Sequence, residues 1–144
     1  MAHELLSKRH FEDDVKHLTD RFLENRAWVL NQLDYPCIDV TFVGTQPLRV
    51  KFKCDGWPDQ PPAAELLDSA GNPYPNMPGF TIFNANTHPV TQAPAFICMR
   101  GIREYHTHPS HLSEHWNTHM SSDGNSLVGL LDQISTAWRK VYPK

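Results

Sequence analysis

Proline constrains this chain more than any other residue. Eight of its 12 prolines (Pro58, Pro61, Pro62, Pro73, Pro75, Pro78, Pro89 and Pro94) fall in one stretch. Proline lacks a backbone donor and is excluded from helix interiors, so this stretch must be extended and loop-like. It also carries Tyr74, Phe80, Ile82 and Phe83, too many apolar side chains for a disordered tract. The expectation is a stiff, packed, irregular segment, and it leads directly into a cysteine, Cys98.

The flanks are more regular. Phe11, Val15, Leu18 and Phe22 recur at helical intervals, with Asp13, Asp14 and Lys16 on the wet side. That helix either stops near Glu24 or continues through Val29 and Leu33; Trp28-Val29-Leu30 reads equally as a short strand. Ile38, Val40 and Phe42 alternate with Asp39 and Thr41, and Leu48, Val50, Phe52 and Cys54 alternate with Arg49, Lys51 and Lys53. These are two half-buried strands joined by a turn at Gly44-Thr45-Gln46-Pro47. Cys54 reads as a small core hydrophobe and Cys37 as structural. The Arg49, Lys51, Lys53 stripe is a solvated sheet face or a surface that steers a partner. Residues 63–68 predict a third strand, followed by a turn at Ser69-Ala70-Gly71-Asn72. Leu127, Leu130, Leu131, Ile134, Trp138 and Val141 form the apolar stripe of a closing helix, capped by Asp123, Asn125 or Ser126. The fold class expected is α+β, a single domain over 1–144.

Composition narrows the function classes. The formal net charge is -3, which implies no nucleic-acid or membrane partner. No apolar run is long enough to span a bilayer. Three cysteines without paired spacing read as reduced thiols in a cytoplasmic protein.

Five of the nine histidines follow Cys98: His106, His108, His111, His115 and His119. Pro109 is placed to start a helix through about His119. In such a helix His111, His115 and His119 would share one face, and zinc accepts imidazoles at that spacing. His111-Leu112-Ser113-Glu114-His115 also fits the H-x-x-E-H pattern of inverted zinc proteases, although no glutamate follows Glu114 to complete that ligand set. The plainer alternative is a hydrogen-bonded network bracing the loop beside Cys98.

In order, the chain offers a helix, antiparallel strands, Trp57-Pro58-Asp59-Gln60-Pro61-Pro62, a strand, His88-Pro89, Ile97-Cys98-Met99, Trp116 and a closing helix. This order resembles the ubiquitin-conjugating enzyme family over roughly residues 8–142: the family's "YPFxPP" loop, "HPN" motif, "iCL" cysteine and distal tryptophan. The resemblance implies an N-terminal helix, an antiparallel meander and C-terminal helices packed on it. It implies that Cys98 receives the C-terminus of a ubiquitin-like modifier from an activating enzyme and passes it to a target amine. It further implies docking of partners at the N-terminal helix and at Trp57, Pro58, Pro61 and Pro62, and structural roles for His88, Pro89 and Trp116. Val90 departs from the pattern, standing where the family has an asparagine thought to support the oxyanion. Valine donates no hydrogen bond, so Asn84, Asn86, His106 and His108 become candidates, the last two foremost as catalytic partners of Cys98. The histidine run has no counterpart in the usual eukaryotic pattern and points to a divergent, bacterial member. Arg100, Arg103 and His106 would favour the thiolate, the active species. No cofactor is implied unless the histidines hold zinc. The rival functions are a non-catalytic binding module of the same fold and a zinc-dependent hydrolase using the His106–His119 cluster.

Overall fold

The computed structural model describes residues 3–79, 82–120 and 124–144. Two short helices come first, α1 (Glu4–Val15) and α2 (Asp20–Arg26). The sequence periodicity runs through both, but the helix is interrupted after Val15. Thr19 takes extended backbone and its hydroxyl accepts the Phe22 N–H at 3.2 Å, starting α2 afresh. Ala27, in left-handed conformation at φ 55°, ends α2, so the helix does not continue to Leu33. Trp28 instead opens a strand.

Four strands form an antiparallel meander in the order β1 (Trp28–Asp34), β2 (Cys37–Phe42), β3 (Leu48–Lys53) and β4 (Ala63–Leu67). Alternation drives it: Ile38, Val40, Phe42, Leu48, Val50 and Phe52 are fully buried on one face, with Cys54 just beyond β3. The opposite face is polar, yet Asp39 on it is only 1% exposed. Arg49 grips Asp39 through both guanidinium arms, and Asn31 donates a third bond at 3.1 Å. Arg49 is therefore a structural cation and not a free docking charge.

The proline-rich third is irregular, with a two-stranded ladder of β5 (Phe83–Asn84) and β6 (Phe96–Ile97). Phe80, one of the apolar residues read there, lies outside the described residues, as does the candidate cap Asp123. Helix α3 (Arg103–Thr107) follows, then two isolated 3-10 turns, Pro109–His111 and Trp116–Thr118, and finally α4 (Leu127–Val141). Ser126 caps α4 by accepting the Gly129 N–H at 3.0 Å. One continuous core joins α1, the inner sheet face and α4. Indole N–H groups tie its layers together: Trp28 to Ser135 Oγ at 3.0 Å and Trp138 to the Gln46 carbonyl at 2.8 Å. No described helix is long and apolar enough to cross a membrane.

Candidate active site

Cys98 sits one residue beyond β6, half-buried. Its N–H bonds the Ile82 carbonyl at 2.6 Å, which extends the β5–β6 ladder up to the cysteine itself. The chain then turns sharply through Gly101, whose φ of +97° suits glycine alone. A Cβ there would lie 2.5 Å from Leu130 Cδ2, so the turn is pressed against α4. Cys98 is thus held from both sides by backbone.

The imidazole nearest the sulfur belongs to His111. Its Nε2 is 3.7 Å from Cys98 Sγ. Its Nδ1 lies 2.7 Å from Glu114 Oε2. A carboxylate accepts only, so Nδ1 carries the proton and Nε2 presents its lone pair to the thiol. Glu114 is itself fixed: Oε1 accepts the Tyr105 hydroxyl at 2.8 Å and the Arg100 Nε–H at 3.1 Å. Those bonds, with the Tyr105 contribution foremost and His111 next, hold the Glu114 carboxyl down at about 2. It is ionised throughout the physiological range. The Tyr105 ring stacks on the His111 ring at 3.9 Å between centroids and 14° between planes, which fixes the plane of the base. Thiol, imidazole and carboxylate in that order are the nucleophile, base and orienting group of cysteine acyl-transfer sites.

The other histidines do different work. The ring of His88 is fully buried. Its Nδ1 accepts the N–H groups of Val90 and Thr91, and its Nε2–H donates to the Glu104 carbonyl at 2.8 Å. It braces the turn that Pro89 enters. His106 Nε2 accepts the Gly101 N–H at 3.0 Å while Nδ1–H donates to the Glu114 carbonyl at 2.8 Å. Both its nitrogens are occupied by backbone, so this candidate catalytic residue instead supports the Gly101 turn. Burial pushes its pKa down, in keeping with a neutral ring. His108 Nδ1 accepts the Ser110 N–H at 3.2 Å, which leaves the proton of the neutral ring on Nε2. The His108 ring stacks on Phe96 and lies 6.0 Å from the His111 ring.

The helical premise for a zinc site is not met. Leu112 to His115 separates the two 3-10 turns, and His115 is extended at ψ 135°. His111, His115 and His119 therefore do not share a helix face. Among the described residues no group of three or more histidine, cysteine, aspartate or glutamate side chains converges as metal ligands.

One further expectation is corrected. Arg100 is spent on Glu114, and Arg103 bonds the carbonyls of Pro61 and Asp55. Neither favours the thiolate; burial, and then the Glu114 charge, push the Cys98 thiol up instead. The Trp57–Pro62 loop turns its apolar residues inward and leaves Asp59 and Gln60 exposed. Trp57, Pro61 and Pro62 are buried and Pro58 is partly exposed. The buried Trp116 clamps the loop by donating to the Pro58 carbonyl at 2.8 Å, its ring 5.8 Å from that of Trp57.

The sequence leaves His111 open between a zinc ligand and a member of a hydrogen-bonded network, and points to no role beside Cys98 for Glu114 or Tyr105. The three-residue spacing of His111 and Glu114 was the available signal. It fits part of a zinc motif, and the same spacing lets a carboxylate orient an imidazole.

The chain is similar to the Y4jH family. That family's model, described as Y4jH-like, matches residues 76–141. The matched segment contains Cys98, Tyr105, His111, Glu114 and α4 and stops short of the four-stranded sheet. The protein named "Uncharacterized protein y4jH" of Sinorhizobium fredii (strain NBRC 101917 / NGR234) is 31% identical over 111 residues, 67% of this chain and 54% of the relative. The match thus spans about half of that relative's length.

Proposed function

We propose that this protein is a ubiquitin-conjugating-like transferase: Cys98 takes the C-terminal carboxyl of a ubiquitin-like modifier as a thioester and passes it to an acceptor nucleophile. The observation that carries this is the lone pair of His111, held 3.7 Å from Cys98 Sγ by Glu114. The burial-raised Cys98 is a thiol at neutral pH, so attack needs a base to remove its proton, and His111 is in place to do so. As the sulfur bonds the modifier's carbonyl carbon, its proton moves to His111 Nε2 and then to the departing thiol of the activating enzyme. His108, whose ring lies 6.0 Å from that of His111, is the donor we assign to the oxyanion through Nε2–H. One such donor contributes roughly 3–4 kcal/mol to barrier lowering.

The order of motifs and the α+β arrangement, an antiparallel meander packed under terminal helices, are consistent with the same family. A non-catalytic module would have no use for an oriented base at the cysteine. A zinc hydrolase would need imidazoles on a common face, which the 3-10 turns do not provide.

The test is to charge the protein with an activating enzyme and its modifier and resolve the products on a non-reducing gel. A thiol-sensitive adduct that disappears in Cys98→Ala is the expected result. No adduct, or one that persists in Cys98→Ala, overturns the proposal.

A further inference from the structure

The acceptor can be specified further from the environment of the same thioester, an inference that rests on Cys98 being the acyl carrier. Once Sγ is acylated, His111 Nε2 no longer has a thiol proton before it. Its lone pair then faces the thioester, still held by Glu114 and still stacked under Tyr105.

Different nucleophiles gain unequally from such a base. A neutral amine attacks unaided and sheds its proton afterwards. Its difficulty lies earlier: at a pKa near 10.4, only about 0.04% of a lysine is neutral at pH 7. A site built for lysine would gather the ammonium with an unpaired carboxylate and loosen its proton. The carboxylate here is Glu114, and it is saturated by Tyr105, Arg100 and His111. A hydroxyl is in the opposite position. It carries no charge, and it is a weak nucleophile until a base removes its proton during attack.

We propose that the Cys98 thioester is discharged onto an oxygen nucleophile, an alcohol or water, with His111 as the general base. The O–H oxygen bonds the carbonyl carbon as its proton passes to Nε2. The C–S bond breaks, and the proton returns to Sγ. The products are an oxygen ester, or an acid when water attacks, and the original thiol; no other reactant is needed. An alcohol acceptor makes the protein a transferase to hydroxyl-bearing targets. Water makes it a thioester hydrolase.

The experiment loads the full chain with N-acetylglycine from a small-molecule thioester and follows intact mass. The acylated protein is then offered buffer alone, N-acetylthreonine amide or N-acetyl-lysine amide at one neutral pH. Discharge to the alcohol or to water is expected to exceed discharge to the amine. His111→Gln is expected to slow the oxygen reactions by about 10²-fold or more and the amine reaction much less. Equal slowing of both reactions, or amine discharge dominating in the unaltered protein, overturns the proposal while leaving Cys98 as the carrier. Failure of Cys98 to load overturns the carrier assignment and the acceptor assignment together. Circular dichroism of His111→Gln separates loss of the base from loss of the fold; should the variant be unfolded, the amine-to-alcohol ratio in the unaltered protein still decides.

Discussion

The four-stranded sheet and the segment from Phe83 to Thr118 are held together by opposite means. In the sheet, backbone pairs with backbone, and side chains need only alternate between core and solvent. In the second segment the regular ladder is two residues long on each side, and side chains bind the backbone instead. His88 satisfies two N–H groups and one carbonyl, His106 one of each, and Arg103 and Trp116 clamp three carbonyls of the proline loop. A region with few backbone ladders must satisfy its polar groups some other way or leave them unpaired at roughly 1–3 kcal/mol each. The imidazoles do this, and one of them, His111, is left over for the thiol.

Exchanging a bracing imidazole with the chemical one separates the two roles most sharply. His111→Ala should cut thioester formation by about 10²–10⁴-fold and cost about 1 kcal/mol in denaturant unfolding, since a partly exposed ring that holds no backbone group is lost. His88→Ala should do the reverse in kind: it empties a fully buried ring site and unpairs three backbone groups, the buried Glu104 carbonyl and the part-buried Val90 and Thr91 N–H groups, a loss of roughly 3–5 kcal/mol. If the two variants show the same ratio of activity loss to stability loss, the division of labour among the histidines is wrong.

The next effect contrasts the buried carboxylates of the two regions. Burial acts to raise Asp39, but the bonds from Arg49 and Asn31 outweigh it, and the net position is below the ordinary carboxylate value. A lowered folded-state pKa gives stability that is present above the unfolded value and lost as pH falls through the folded one. Acid unfolding should therefore draw on the sheet. At pH 7, Asp39→Asn should cost about 2–4 kcal/mol because Arg49 keeps its charge without a partner, and the variant's unfolding midpoint should be flatter between pH 5 and pH 2.

Legibility follows the same division. Strand alternation exposes the core directly, so β2, β3 and β4 could be read from their patterns, as could the Leu127–Trp138 stripe of α4. The break at Thr19 was invisible to periodicity, because apolar spacing continues across it while the capping hydroxyl restarts the helix. Between Phe83 and Thr118 no period exists to read. The cysteine stood out as a lone reactive type, but its partner depended on which histidine the turns bring within reach. Five histidines in fourteen positions offer several such choices. Only backbone geometry distinguishes a ring that accepts a Gly101 N–H from one that faces sulfur.

Glu104 gives a smaller effect of opposite sign. It is buried beneath the site, with Oε1 accepting the Ala64 N–H at 2.8 Å. Burial is the largest influence and raises its pKa despite that bond. A raised folded-state pKa contributes stability at low pH that is lost as pH rises through the folded value. Glu104→Gln keeps an acceptor for Ala64 and removes the charge. Thermal melts should show it gaining on the order of 0.5–1 kcal/mol at pH 8, with the gain vanishing near pH 4. A clear loss at pH 8 would mean that the carboxylate is paired more strongly than its bonds indicate.

The last test asks whether Tyr105 belongs to the bracing set or to the chemistry. Tyr105→Phe keeps the ring that stacks on His111 and removes only the hydroxyl on Glu114. Glu114 retains Arg100 and His111, so it stays ionised at neutral pH although its pKa rises. Stability should change by about 1 kcal/mol, the net worth of one hydrogen bond. A freer Glu114 holds the His111 ring less firmly, and thioester formation should fall only several-fold, within the 10²–10⁴-fold span of the base itself. The discriminating readout is the pH midpoint of Cys98 alkylation by iodoacetamide. The Glu114 charge helps to hold that thiol above its ordinary value, so the midpoint should fall in Glu114→Gln, where the charge is gone, and stay nearly fixed in Tyr105→Phe, where it remains. A midpoint that moves equally in both would place the tyrosine hydroxyl in direct electrical contact with the sulfur and make Tyr105 part of the chemistry.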